Sequence, residues 1–154
     1  MSRYAEVITK IKDQGLLCAA LTQMGFHEVE SHVQAQTLFG YHGDARNERA
    51  EVIIRRQYIG SASNDIGFVR DKATGVFKAI ISDFDRSSKH YNNEWLGKLN
   101  QAYVEQDQMA IAKERGLAFI GREVQSNGAV TLLFALDEPE ADELAAKTNL
   151  WSTL

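Results

Sequence analysis

The 154-residue sequence predicts an α+β fold, an antiparallel sheet of about seven strands with two helices on one face, in the order β-α-β-β-β-β-α-β-β. Three observations lead there. Short segments alternate polar and apolar residues, two stretches carry apolar residues at helical spacing, and most strand connections have hairpin length, one of them through Asn127-Gly128. Hairpins give antiparallel pairing, and helices on one side can bury the apolar face that such a sheet creates.

Residues 4–11 place Ala5, Val7, Thr9 and Ile11 on one side and Tyr4, Glu6, Ile8 and Lys10 on the other, the period of a strand. Leu16, Leu17, Ala20, Leu21 and Met24 follow at helical spacing, with Asp13 set to cap the start and Gly25 to end it. Residues 26–33 return to alternation. Residues 34–49 have no regular period and contain Gly40-Tyr41-His42-Gly43, so a long loop is expected there, where binding residues tend to gather. Strands are expected at 50–58, 65–70 and 76–83, the last two joined through Thr74-Gly75, together an antiparallel meander. A second helix is expected at 93–115, with Trp95, Leu96, Leu99, Tyr103, Ala110 and Ile111 on its apolar stripe and Gly116 closing it. Residues 117–124 and 129–136 then form the hairpin around Asn127-Gly128.

The meander is apolar on both faces: Ile66 and Phe68 oppose Val69, and Val76 and Ile80 oppose Phe77, Ala79 and Ile81. A sheet solvated on one side alternates more cleanly. The second face therefore calls for cover, by the chain itself, by a ligand or by another copy, and a homo-oligomer, a dimer, is the form expected of self-association.

Residues 1–136 are expected to make a single α+β domain, followed by an acidic tail at 137–154. The tail holds five acids and one base and so carries the whole net charge of −4, while residues 1–136 balance 16 bases against 16 acids. A neutral body argues against duplex nucleic acid as partner, which selects a strongly basic patch. The first twelve residues mix Arg3, Glu6, Lys10 and Lys12 with apolar ones, unlike a signal peptide, and no uncharged apolar run approaches the ~20 residues of a membrane span. The single Cys18 has no partner for a disulfide or a Cys-x-x-Cys metal site, which fits a reducing, cytoplasmic setting.

No catalytic residues, metal ligands or cofactor motif stand out. His27, His32, His42 and His90 lie on different elements at no ligand spacing. Cys18 lies mid-helix among leucines, where it reads as a small core residue rather than a nucleophile. Asp83 and Asp85 read as a strand exit with a solvated turn, being too few oxygens for a hard cation. The strongest cluster is basic: Arg46, Arg49, Arg55 and Arg56, with Arg70 on the following strand and Tyr41 and His42 in the preceding loop. Arginine forks match phosphate and carboxylate, and Tyr41 can stack a ring. The interleaved Asp44, Glu48 and Glu51 offer those arginines surface ion pairs instead. For a protein partner the candidates are Phe77 on the second sheet face and Leu150 and Trp151, apolar anchors in the acidic tail.

The chain also resembles a family of unknown function typified by a conserved reading frame of plastids and cyanobacteria. The resemblance rests on Gly40-Tyr41-His42-Gly43, on 50–54 (Ala-Glu-Val-Ile-Ile), on Asp65-Ile66-Gly67-Phe68, on 99–103 (Leu-Asn-Gln-Ala-Tyr) and on the Asn127-Gly128 hairpin, and spans roughly residues 1–136. It implies an α+β fold and brings no reaction, cofactor or catalytic residue. The family's occurrence in phages and beside ATPase genes of the AAA type implies an accessory role. Residues and resemblance together lead to the expectation of a non-catalytic binding protein for an anionic, nucleotide-like small molecule, with a protein–protein interaction module or accessory subunit as the alternative.

Overall fold

The computed structural model describes residues 2–87 and 90–136. The chain divides into two compact units, Met1–Tyr103 and Val104–Leu154. The tail anchors Leu150 and Trp151 lie outside the described residues.

The first unit holds a five-stranded antiparallel sheet in the order β1-β5-β4-β3-β2, built from β1 (Tyr4–Ile8), β2 (Val29–Phe39), β3 (Ala45–Ile54), β4 (Ile66–Arg70) and β5 (Phe77–Ser82). Helix α1 (Gln14–Gln23) starts where the sequence places it, with the Asp13 carboxylate accepting from Leu16 N at 2.9 Å. A 3-10 turn (Arg56–Tyr58) follows β3, and a short helix α2 (Asp83–Ser87) follows β5 directly. Helix α3 (Asn93–Glu114) belongs to the first unit through Tyr103 and to the second from Val104. In the second unit β6 (Leu117–Val124) and β7 (Val130–Leu136) form a hairpin sheet of their own. The α+β class and the seven strands hold, whereas the single expected sheet is two and α2 is an additional helix.

The register separates the two faces of the large sheet. Val52, Ile54, Ile66, Phe68, Phe77, Ala79 and Ile81 share one face with Leu17, Ala20 and Leu21 of α1 and Leu99 and Ala102 of α3. Each large side chain fully buried there contributes roughly 1.5–3 kcal/mol. Phe77 is wholly buried in this core, so it offers no surface to a partner and its expected docking role is withdrawn.

The opposite face is apolar as well, and the chain covers it. Residues 34–49, expected as a long loop, are strand: β2 and β3 form a long hairpin whose turn is residues 40–44, with Gly43 at a positive φ of 77°. The alternation was obscured because the register shifts twice, between Ser31 and Gln36 and between Thr37 and Phe39, and each irregularity bends the arm. Leu38 and Ala50 then close over Gly67, where a Cβ would lie 2.7 Å from Ala50 Cβ and 3.0 Å from both Leu38 methyls. With Ile53 and Ile80 they make a second small core. At the far end of the arm, Arg46 Nη2 donates to Ser2 O at 2.8 Å and the guanidinium lies over the Tyr4 ring. The apolar second face therefore needs no second copy to explain it.

In the second unit Met109 and Ala112 of α3 pack with Leu117, Val130, Leu132 and Phe134, while Ala110, expected on the stripe, is exposed. Arg122 pairs with Glu105, which is 2% exposed. Among the described residues no helix is long and apolar enough to cross a membrane.

Candidate functional site

Most of the arginine cluster holds the fold together. Arg55 is the clearest case: Nε and Nη2 form a fork on the Glu30 carboxylate at 2.7 and 3.0 Å, and Nη1 donates to Asp65 Oδ2 at 2.8 Å and to Thr37 O at 3.0 Å. These partners hold the guanidinium above its ordinary range, Glu30 first, and Arg55 in turn holds Glu30 below the usual carboxylate range. Arg70 is spent on Lys12 O and Gly75 O and lies over the Phe77 ring. Arg49 reaches back to Ala35 O from an exposed position. Arg56 gives its backbone N–H to Asp65 Oδ1 and one guanidinium nitrogen, Nη1, to Ser61 O at 3.3 Å. The expected single arginine surface is thus dispersed over several partners.

Asp65 ties this region together. Its carboxylate, 1% exposed, accepts from Phe39 N at 2.8 Å, Arg56 N at 2.7 Å and Arg55 Nη1 at 2.8 Å. Its backbone carbonyl accepts from Tyr4 Oη at 2.7 Å, and burial, followed by the Asp65 charge, pushes the Tyr4 phenol up. The turn at 40–44, the end of β3, the start of β4 and β1 are thereby fastened to one another.

Beside this hub opens a cleft of ≈ 290 Å³ lined by Ser2, Tyr41, Ala62, Asn64 and Phe84. Its frame is main-chain: Tyr41 N donates to Asn64 Oδ1 at 3.1 Å, Phe84 N to Ser2 Oγ at 2.9 Å, and Asn64 N to Asp85 Oδ2 at 3.1 Å. Tyr41 and Phe84, 37% and 45% exposed, supply the aromatic surface, and the His42 ring lies against Tyr41 at 3.8 Å. Asn64 is 1% exposed, and its Nδ2 has no hydrogen-bond partner among the described residues. Among the described residues the other buried side-chain nitrogen in that state is Arg46 Nη1, on the guanidinium that holds the carbonyl of Ser2. A buried donor left without an acceptor costs roughly 1–3 kcal/mol, and Asn64 Nδ2, on a residue that lines the cleft, is a donor that an acceptor on a ligand would satisfy.

Of the residues singled out in the sequence, the structure brings Tyr41 to this cleft, with the His42 ring against it, while Arg46 does not line it and reaches only the Ser2 carbonyl. It does not bring Arg49, Arg55 or Arg70 there. Ser2, Ala62, Asn64 and Phe84 went unread, although the small polar run at 61–64 ahead of an apolar strand was a visible signal. Asp85 is no solvated turn residue: it is 1% exposed and exchanges hydrogen bonds with Ser82, its Oδ2 accepting from Ser82 Oγ at 2.7 Å and its N–H donating back to that oxygen at 3.1 Å. Burial pushes the Cys18 thiol up, the opposite of what a nucleophile needs. Among the described residues no group of three or more His, Cys, Asp or Glu side chains is placed to hold a metal ion.

A family model described as a protein of unknown function, DUF1257, matches residues 20–133. The chain belongs to this family. The match takes in Tyr41, Ala62, Asn64 and Phe84 of the cleft, while Ser2 precedes it. No curated protein and no solved structure matches the DUF1257 chain.

Proposed function

We propose that this DUF1257 protein is a non-catalytic, cytoplasmic binding protein for an anionic, nucleotide-like small molecule, held in the cleft of Ser2, Tyr41, Ala62, Asn64 and Phe84. The observation that carries the proposal is the unpartnered, buried Asn64 Nδ2 in a cleft walled by two aromatic rings. Asn64 Oδ1 accepts from Tyr41 N, which fixes the amide so that its unpartnered Nδ2 is the group left to donate. A ring carbonyl, a ring nitrogen or an anionic oxygen satisfies it, Tyr41 and Phe84 cover a planar face, and Arg46 adds positive charge behind Ser2.

Asn64→Asp tests this, because it keeps an acceptor for Tyr41 N and removes the donor. Calorimetry of the folded full chain with a panel of ribonucleoside monophosphates is expected to show binding that Asn64→Asp weakens by at least about tenfold, the worth of a hydrogen bond to a charged group. Wild type that binds no member of the panel better than Asn64→Asp does would refute the proposal.

A second reading, an interaction module or accessory subunit, for instance of an AAA-type ATPase, or a homo-oligomer, is supported by β6. Phe119, Ile120 and Val124 on that strand are 45%, 53% and 61% exposed. Buried contact between such side chains is a common basis of interfaces. Analytical ultracentrifugation of wild type and of Ile120→Glu/Val124→Lys distinguishes the two: equal sedimentation as monomers removes the self-association arm.

A further inference from the structure

The first cleft shares a wall with a second. Ala62 and Phe84 also line a cleft of ≈ 390 Å³ whose other sides include Ser61, Ser63, Asp85, His90 and Tyr91. Separately the two are near or below the smallest volumes that enclose a small molecule, and a ligand passing the shared wall could use both. Their chemistry differs. The first offers aromatic faces and an amide with an unpartnered N–H donor. The second offers the hydroxyls of Ser61, Ser63 and Tyr91, which both donate and accept, and the imidazole of His90.

Asp85 decides what the second cleft prefers. Asp85 itself lines the cleft, and its Oδ2 accepts from Asn64 N and Ser82 Oγ, which holds an acidic side chain beside the space. Burial and, after it, the Asp85 charge push the Tyr91 phenol up, which keeps it a neutral hydroxyl. An acidic side chain suits a phosphate poorly, whereas the uncharged hydroxyls of a ligand meet hydroxyl partners there. Arg56 lies at the Ser61 end, its Nη1 on the Ser61 carbonyl, where it can meet an anion carried outside the cleft.

We propose that the second cleft takes the sugar of a ribonucleoside 5′-phosphate whose base occupies the first cleft, with Ser61, Ser63 and His90 on the sugar hydroxyls and Arg56 on the phosphate. This rests on the first cleft binding the ring. It extends that reading to the substrate class: ribose over deoxyribose, and phosphate held at the rim.

The test is calorimetry on the full chain with the four common ribonucleosides, their 2′-deoxy counterparts and their 5′-monophosphates. For the base that binds, the ribonucleoside is expected to bind about fivefold tighter than the deoxynucleoside, the effect of one hydrogen bond. The 5′-phosphate is expected to add about tenfold, from a charge-assisted contact. Ser61→Ala/Ser63→Ala, or His90→Ala at an exposed position should the first variant misfold, is expected to erase the ribose preference by weakening the ribonucleoside more than the deoxynucleoside. Arg56→Ala is expected to erase the phosphate gain alone. Equal binding of ribo and deoxy forms by wild type overturns this inference and leaves the first-cleft reading standing. Absence of binding by every nucleoside and nucleotide overturns both.

Discussion

Asp65→Asn asks whether the hydrogen-bonded hub holds the DUF1257 fold together. The carboxylate accepts three N–H donors, two on Oδ2 and one on Oδ1. An amide has a single acceptor oxygen, so in its better orientation it serves Phe39 N and Arg55 Nη1 and turns its NH₂ against Arg56 N. One buried backbone donor is then unsatisfied, costing about 1–3 kcal/mol, and the bond to Arg55 loses its ionic part. Breaking a buried pair outright costs roughly 3–5 kcal/mol, but Glu30 keeps its fork on Arg55 and reduces that figure. The two contributions give a loss of about 3 kcal/mol. At a urea slope of about 2 kcal/mol/M the midpoint falls by about 1.5 M, read by circular dichroism. Arg49→Ala is the control from the same arginine cluster: it is exposed and, among the described residues, bonded to Ala35 O alone, so its cost stays within about 0.5 kcal/mol. A loss below about 1 kcal/mol for Asp65→Asn, or an equal loss for Arg49→Ala, would refute the distinction between structural and spare arginines.

Two further results follow from packing and charge. Gly67→Ala forces a methyl against Ala50 and Leu38 and is expected to cost about 2 kcal/mol, whereas Gly97→Ala, in the interior of α3 with nothing within 4 Å, is expected to gain about 0.5–1 kcal/mol. Thermal melts decide it, and a Gly67→Ala protein as stable as wild type would contradict the closed second face. Glu30 is held below its unfolded value of about 4.3 by Arg55, so its contribution is full above that pH and disappears as pH falls through the lower folded value. Stability is therefore expected to drop on acidification below about pH 5, and Glu30→Gln to flatten that limb; an unchanged acid limb in the variant would show that the pair is not what titrates.

Elements set by local chemistry were legible in the chain itself. The Asp13 cap, the 93–114 helix and the strands at 117–124 and 130–136 fall within a residue or two of expectation, because caps, helical period and an Asn-Gly turn act between neighbours. The stretch 34–49 was not legible. Its alternation is broken by two register shifts, and what makes it strand is pairing along the hairpin and the closure of Leu38 over Gly67, partners far apart in sequence.

The candidate site divides the same way. Tyr41 and Arg46 could be named from residue type, since aromatic rings and guanidinium groups are few and their chemistry is intrinsic. Asn64 could not, because only the fold brings its oxygen to Tyr41 N and buries its nitrogen without an acceptor. The sequence by itself determined the α+β class, the succession of the seven strands and the two long helices, and the supply of arginines. The tertiary structure decided which arginines were already spent, since the acceptors that consume Arg55 and Arg70 include Glu30 and Lys12, 25 and 58 residues away along the chain. Composition fixes how many donors a chain has, but only the packed fold fixes which of them lack an acceptor.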